Sequence, residues 1–144
     1  MKIRELMAQD KTTLSFEVFP PKKDTDFANV EKAAFGIAQL KPSYMSVTYG
    51  AGGSTKGHTI RLAGDIQKKF SVPTIAHLTC VCATKESIEQ ALSQMKEAGI
   101  ENILALRGDA PNEFEGKAFT DFTHASELVK LIKETGDFCV GGAC

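Results

Sequence analysis

Glu17, Thr48, His77 and Arg107 follow one another at intervals of 31, 29 and 30 residues, and each stands in or just after a short apolar run. The runs are Ser15-Phe16-Glu17-Val18-Phe19, Ser46-Val47-Thr48-Tyr49-Gly50, Ala76-His77-Leu78-Thr79-Cys80 and Ala105-Leu106-Arg107-Gly108-Asp109. A strand, a crossover helix and the return to the next strand take about 30 residues, so this period predicts a repeated βα unit with polar chemistry at each strand's C-terminal end.

The segments between these runs carry helical spacing. A short N-terminal helix is expected over about Lys2 to Gln9, and strand one over Thr13 to Val18, stopped by Pro20-Pro21. Asp26 caps a helix through Leu40, with Val30, Ala33, Ala34, Ile37 and Leu40 on one stripe. Strand two spans Tyr44 to Thr48, a helix runs from Ser54 or Thr55 to Phe70, and strand three covers Pro73 to Thr79. Thr84 caps the next helix, whose buried face is Ile88, Ala91, Leu92, Met95 and Ala98 and whose stop is Gly99. Asn102 to Leu106 is strand four, Thr123 to Thr135 a helix, and Phe138 to Ala143 strand five.

Such alternation means parallel strands joined by right-handed crossovers. Two topologies fit: a complete doubly wound five-stranded sheet, or an eight-stranded barrel that needs about 250 residues and is here cut in half. The terminal Gly141-Gly142-Ala143-Cys144, with no closing helix, favours the barrel excerpt. The expectation is an α/β chain holding the first five strands and about four helices of a (βα)8 TIM barrel, with residues 1–144 as the N-terminal part of one domain.

With 17 basic and 18 acidic residues and a net charge of −1, the chain has no electrostatic case for nucleic acid. No apolar stretch approaches the roughly 20 residues of a membrane span, and the start lacks a signal-peptide core, so the cytoplasm is expected. The four cysteines, Cys80, Cys82, Cys139 and Cys144, read as structural thiols. A metal site from His77, Cys80 and Cys82 is the sharper alternative, but Cys-Val-Cys lacks the usual spacing, and no metal is expected.

Glu17 lies among Phe16, Val18 and Phe19, where desolvation would favour a carboxylic acid able to donate a proton; a solvent-facing glutamate is the even alternative. Tyr49-Gly50-Ala51-Gly52-Gly53-Ser54-Thr55 allows close backbone approach to a ligand, yet matches neither G-x-G-x-x-G nor a Walker loop, and a tight βα turn explains it equally. His77 is a core histidine or a ligand contact. Arg107-Gly108-Asp109 can orient a polar ring or phosphate, or form an internal salt bridge. His58 and His124 show no visible partner.

Taken in order, Phe16-Glu17-Val18-Phe19-Pro20-Pro21-Lys22, Ser46-Val47-Thr48-Tyr49-Gly50-Ala51, His77-Leu78-Thr79-Cys80, Asn102-Ile103-Leu104-Ala105-Leu106-Arg107-Gly108-Asp109 and Phe122-Thr123-His124-Ala125-Ser126-Glu127-Leu128-Val129 closely resemble the methylenetetrahydrofolate reductases. That resemblance implies FAD at the C-terminal face of the barrel and NADH or NADPH as electron donor. Its substrate would be 5,10-methylenetetrahydrofolate, reduced to 5-methyltetrahydrofolate. It implies Glu17 as the acid that opens the folate ring and Asp109 as the carboxylate that stabilises the resulting cation. Thr48, Tyr49, Ala51, His77, Arg107, Gly108, Asp109, His124 and Ala125 match flavin-contacting positions; Glu17, Thr48 and Asp109 would also meet the substrate. A homo-oligomer is implied for the full-length protein. Val18 replaces a usual phenylalanine, His124 stands where tyrosine is common, and the family's later strands, with a substrate-binding glutamine, lie outside the chain. The alternatives are a non-catalytic binding fragment of the same fold and a small doubly wound nucleotide-binding domain.

Overall fold

The computed structural model describes residues 1–21, 23–50, 55–110 and 118–143 of the 144-residue chain. Five strands alternate with helices: α1 (Ile3–Met7), β1 (Ser15–Val18), α2 (Phe27–Gln39), β2 (Tyr44–Val47), α3 (Lys56–Phe70), β3 (Thr74–Thr79), α4 (Lys85–Glu97), β4 (Asn102–Leu106), α5 (Ala125–Thr135) and β5 (Cys139–Gly142). A single 3-10 turn, Asp24–Asp26, leads into α2.

All strand pairs are parallel, in the spatial order β1-β2-β3-β4-β5. This order corrects the doubly wound alternative. A doubly wound sheet reverses direction once, sending helices to both faces. Here each strand adds to the same edge as the one before, and α2 packs on α3, α3 on α4 and α4 on α5 along one outer layer. Repeated right-handed crossovers without reversal wind a sheet toward a barrel.

Strand alternation divides the residues between the faces. Met45, Val47, Ala76, Leu78, Ile103 and Ala105 point under the helices and are all but fully buried. Ile60, Ala63 and Ile66 of α3 meet them, with Phe70, the last apolar residue at the same spacing, only half-buried; of the expected α4 face, Ile88, Ala91, Leu92 and Met95 are buried and Ala98, past the helix end, half-buried. The opposite face carries Ser15, Glu17, Tyr44, Ser46, Ile75, His77 and Leu104 around one open hollow.

Two ends of this face are set by side-chain hydrogen bonds. At the N-terminal ends of the strands, buried Asn102 accepts from Ile3 N (2.8 Å) and donates to Met1 O (3.2 Å) and Thr74 O (3.0 Å), tying α1 to β3 and β4. Beyond β4, α5 begins two residues later than the sequence suggests. Glu127 Oε2 accepts from the backbone N–H of Thr123 (2.6 Å) and of His124 (2.9 Å), which holds both outside the helix and makes His124 the N-cap residue. The backbone N–H groups of His124 and Thr123, by donating to it, hold the Glu127 carboxyl below its ordinary range. Among the described residues no helix is long and apolar enough to cross a membrane.

Candidate active site

The register that pairs Glu17 with Ser46 places β1, β2 and β3 so that three polar side chains meet across three strands. Ser46 Oγ donates to Glu17 Oε2 at 2.9 Å and lies 3.2 Å from His77 Nε2, while His77 Nε2 and Glu17 Oε2 are 3.6 Å apart. Burial lowers His77 from its ordinary 6.5, and the Glu17 charge opposes that effect without cancelling it. The ring is therefore neutral near neutral pH, so the contact is a hydrogen-bonded network rather than an ion pair.

Of the two readings open for Glu17, the solvent-facing one describes its surroundings. Its side chain is 46% exposed. The apolar residues beside it in sequence do not surround it, because alternate strand residues point to opposite faces and Val18 goes under the helices. Glu17 instead stands on the open face, held from one side by Ser46.

Past the strand ends, the remaining candidates form a rim. Thr48 is half-buried, its backbone N–H donating to Val18 O (2.9 Å) and its carbonyl accepting from Thr59 Oγ1 (2.8 Å). Tyr49 packs against the core, and burial pushes its hydroxyl up to about 12. Ala51 lies outside the described residues, as does most of the glycine-rich turn; Thr55 N-caps α3 by position, but its hydroxyl accepts from Gly50 N (2.6 Å). Arg107 stacks its guanidinium 4.0 Å over Phe119 and donates from Nε to Thr123 O (3.1 Å). Among the described residues neither Arg107 nor Asp109 forms an ion pair, so the internal salt bridge is replaced by an exposed arginine held by Phe119 and Thr123.

Gly108 has φ +76, and a Cβ there would sit 2.6 Å from Val81 Cγ1 and 3.3 Å from Thr79 Cβ. Next to it, Thr79 Oγ1 is buried without a hydrogen-bond partner. Glycine is thus required at 108 by the packing of Val81 and Thr79 and by the left-handed backbone, while the Thr79 hydroxyl is left free to take a partner. Asp109 is exposed just beyond. Strand register sets Glu17 level with Asn102, so Asp109 lies both three strands across from Glu17 and seven residues farther along the chain than the position facing it. Ala125 is half-buried and His124 exposed at the α5 start.

Other expectations are met differently. His58 has partners after all: Nδ1 faces Pro21 O at 2.8 Å and Nε2 faces Asp24 Oδ1 at 2.7 Å, across the β1–α2 connection. Cys80 is a core thiol donating to His124 O at 3.5 Å, and burial pushes it up to about 11, so it stays protonated. Among the described residues no group of three His, Cys, Asp or Glu side chains is placed to hold a metal ion. Cys144 lies outside them. Ser46 and Thr79 were not among the residues singled out from sequence. The available signal was period two: each lies two positions from a named candidate, Thr48 or His77, on the same strand face.

A parallel sheet wound in one direction, with its polar side chains collected at the strands' C-terminal ends, defines a protein of the (βα)-barrel class with its ligand face there. Solved structures agree on the fold. The 4-hydroxy-tetrahydrodipicolinate synthase of Methylacidiphilum fumariolicum SolV matches with a TM-score of 0.58 at 14% identity, over 92% of this chain and 44% of that one. Dihydrodipicolinate synthase of Bacillus anthracis matches with a TM-score of 0.57 at 14% identity, over 93% and 46%.

The sequence relatives are more specific. The family profile described as Methylenetetrahydrofolate reductase matches residues 2–144. Methylenetetrahydrofolate reductase 2 of Schizosaccharomyces pombe is 42% identical over 90% of this chain and 21% of its own length. The probable methylenetetrahydrofolate reductase (NADH) of Oryza sativa subsp. japonica is 40% identical over 95% and 24%. The 5,10-methylenetetrahydrofolate reductase of Pectobacterium carotovorum is 34% identical over 94% and 44%. This chain belongs to the methylenetetrahydrofolate reductase family. It spans about a quarter or less of these eukaryotic relatives and under half of the bacterial one.

Proposed function

We propose that residues 1–144 are the N-terminal part of a single FAD-binding barrel domain that reduces 5,10-methylenetetrahydrofolate to 5-methyltetrahydrofolate at the expense of NADH or NADPH. The place of such a protein is cytoplasmic one-carbon metabolism leading to methionine, and its full-length form is a homo-oligomer. The observation that carries the reading is Glu17 on the open face, held by Ser46, in a chain of this family.

The rim supports a flavin. An unpartnered buried hydroxyl at Thr79 and an Arg107 held by Phe119 and Thr123 offer a hydrogen bond and the positive charge that a phosphate-bearing planar group requires. Thr48, Tyr49, Ala51, His77, Arg107, Gly108, Asp109, His124 and Ala125 are assigned to hold it. When bound, FAD supplies a hydride store that links the nicotinamide to the folate.

The chain's own residues do the acid–base work. Glu17 donates a proton to a nitrogen of the folate's five-membered ring, so that the ring opens to an iminium able to accept hydride. Asp109 offers the opposite charge to that cation from across the face, and Thr48 borders the space in which it lies. Glu17's acid role rests on hydrogen bonding and proton supply, since neighbours in sequence do not bury it.

The test is Glu17→Gln in the complete enzyme that carries this chain. Nicotinamide-driven flavin reduction stays within about twofold of wild type while folate turnover falls by 100-fold or more, the scale of a lost general acid, roughly 10²–10⁴. Folate turnover at the wild-type rate in that variant would remove Glu17 from the role.

A further inference from the structure

Arg107 is held twice by one connection. Its guanidinium lies 4.0 Å over the Phe119 ring and its Nε donates to Thr123 O at 3.1 Å, both from the segment that leads into α5. The ring contact fixes the plane of the guanidinium, the carbonyl contact fixes its rotation in that plane, and the Nη donors are left for a ligand. The second contact lasts only while the Thr123 carbonyl is free to make it.

That carbonyl has a competitor. If α5 began at Thr123, as helical spacing in the sequence suggests, Thr123 O would accept from the backbone N–H of Glu127, four residues on. In the structure this N–H goes to His124 O instead, at 3.1 Å. His124 is extended, at φ −131 and ψ 149, so the chain before it leaves the helix axis. The side chain of the same glutamate secures this start, because its Oε2 takes the N–H of Thr123 at 2.6 Å and of His124 at 2.9 Å. Among the described residues Glu127 forms no ion pair, so its influence on Arg107 runs through Thr123 and not through a direct contact of charges.

We infer that Glu127 is a positioning residue: its carboxylate keeps Thr123 out of α5, and the Thr123 carbonyl is thereby free to hold Arg107 in place for the flavin. The inference rests on the reading of Arg107 as a flavin contact. Two arrangements of one segment compete. With the carboxylate on the two N–H groups, the helix starts at Ala125 and Arg107 is held at both its face and its Nε. Without it, the helix gains two residues, Thr123 O is taken by Glu127 N, and Arg107 keeps the Phe119 ring alone. Other contacts decide little between them. Buried Phe122 precedes both starts, and Cys80 Sγ gives His124 O only a weak donor at 3.5 Å.

Proton exchange and flavin affinity in the complete enzyme that carries this chain test the inference together. With arginine labelled in 15N, the Nε–H of Arg107, identified by its loss in Arg107→Gln, exchanges slowly with water in the wild type. Glu127→Ala speeds that exchange about tenfold, the upper range for one hydrogen bond, and Glu127→Gln, whose amide oxygen still accepts but without charge, about threefold. Titrated into the flavin-free protein, FAD binds Arg107→Gln about tenfold more weakly or worse, the scale of a hydrogen bond to a charged group. Glu127→Ala weakens FAD about fivefold on its own and less than about twofold in the Arg107→Gln background, where no guanidinium remains to position. A glutamate that merely stabilised the fold would weaken both backgrounds alike. Unchanged Nε–H exchange in either Glu127 variant, or equal FAD losses in the two backgrounds, would overturn the inference. Should Glu127→Ala not fold, Glu127→Gln decides by the same two measurements. Unchanged FAD affinity in Arg107→Gln would overturn the flavin assignment beneath the inference, whereas unchanged affinity in Glu127→Ala beside a loss in Arg107→Gln overturns the inference alone.

Discussion

Gly108→Ala is the most demanding test of the rim, because two independent costs fall on one methyl group. At φ +76 the backbone is in the left-handed region, where a Cβ costs about 1–2 kcal/mol. The added carbon would also lie 2.6 Å from Val81 Cγ1, 3.2 Å from Val81 Cβ and 3.3 Å from Thr79 Cβ. Turning the valine side chain relieves the first contact and leaves the second, because Cβ does not move with χ1. Val81 cannot easily retreat: it is 1% exposed, and its N–H donates to Arg107 O at 3.0 Å, the carbonyl just before Gly108. Overpacking of this kind adds about 1–3 kcal/mol, for a total loss of roughly 2–5 kcal/mol. Urea denaturation followed by circular dichroism reads the loss as a lower midpoint at constant slope. In a Val81→Ala background the same substitution loses less, since the nearest methyl is gone, and a coupling of about 1 kcal/mol or more is expected between sites in contact. A loss below about 1 kcal/mol for Gly108→Ala alone would refute both the left-handed backbone and the seating of Val81 against it.

Further outcomes follow from the same structure. Because burial lowers His77, its contribution to stability is full above 6.5 and is lost as pH falls below that value, where the unfolded chain takes up the proton first. Denaturation midpoints at about pH 7.5 and about pH 5.5 should therefore differ less in His77→Gln than in the wild type, and an unchanged difference contradicts the assignment. Gly36 and Gly64 make a matched pair in helix interiors. Gly36 on exposed α2 has nothing within 4 Å of a new Cβ, so Gly36→Ala gains about 0.5–1 kcal/mol. Gly64 on α3 would set its Cβ 3.1 Å from Ala98 Cβ, so Gly64→Ala gains nothing or destabilises by wedging α3 from α4; equal gains in thermal melts would show that the helices are not in close contact there.

Much of the architecture was readable along the chain. Although on the expected α2 stripe Ala33 and Leu40 are exposed, the four polar strand ends at 30-residue intervals predict strands that are found at Ser15–Val18, Tyr44–Val47, Thr74–Thr79 and Asn102–Leu106, and the expected α4 face buries from Ile88 to Met95. These succeed because strand alternation and helical spacing are local properties, set by bond geometry and expressed wherever the pattern occurs. The start of α5 was displaced because a single carboxylate, Glu127, captured two backbone N–H groups that a helix would otherwise have begun to order.

The surroundings of Glu17 stay open in the sequence for the opposite reason. Phe16 and Val18 are its neighbours along the chain, but a pleated strand turns adjacent side chains to opposite faces, so its working neighbours come from other strands. Ser46 lies 29 residues away and His77 a further 31, and register alone brings them within hydrogen-bonding distance. The same holds for the unpartnered hydroxyl of Thr79, whose neighbour Gly108 comes from a segment nearly 30 residues on. Residue order thus carried the class of fold, the identity of the family and the list of polar groups that reach the ligand face. Which of those groups touch and which stay open to a ligand depended on strand order and register, because contacts between segments 30 residues apart exist only once the sheet has formed.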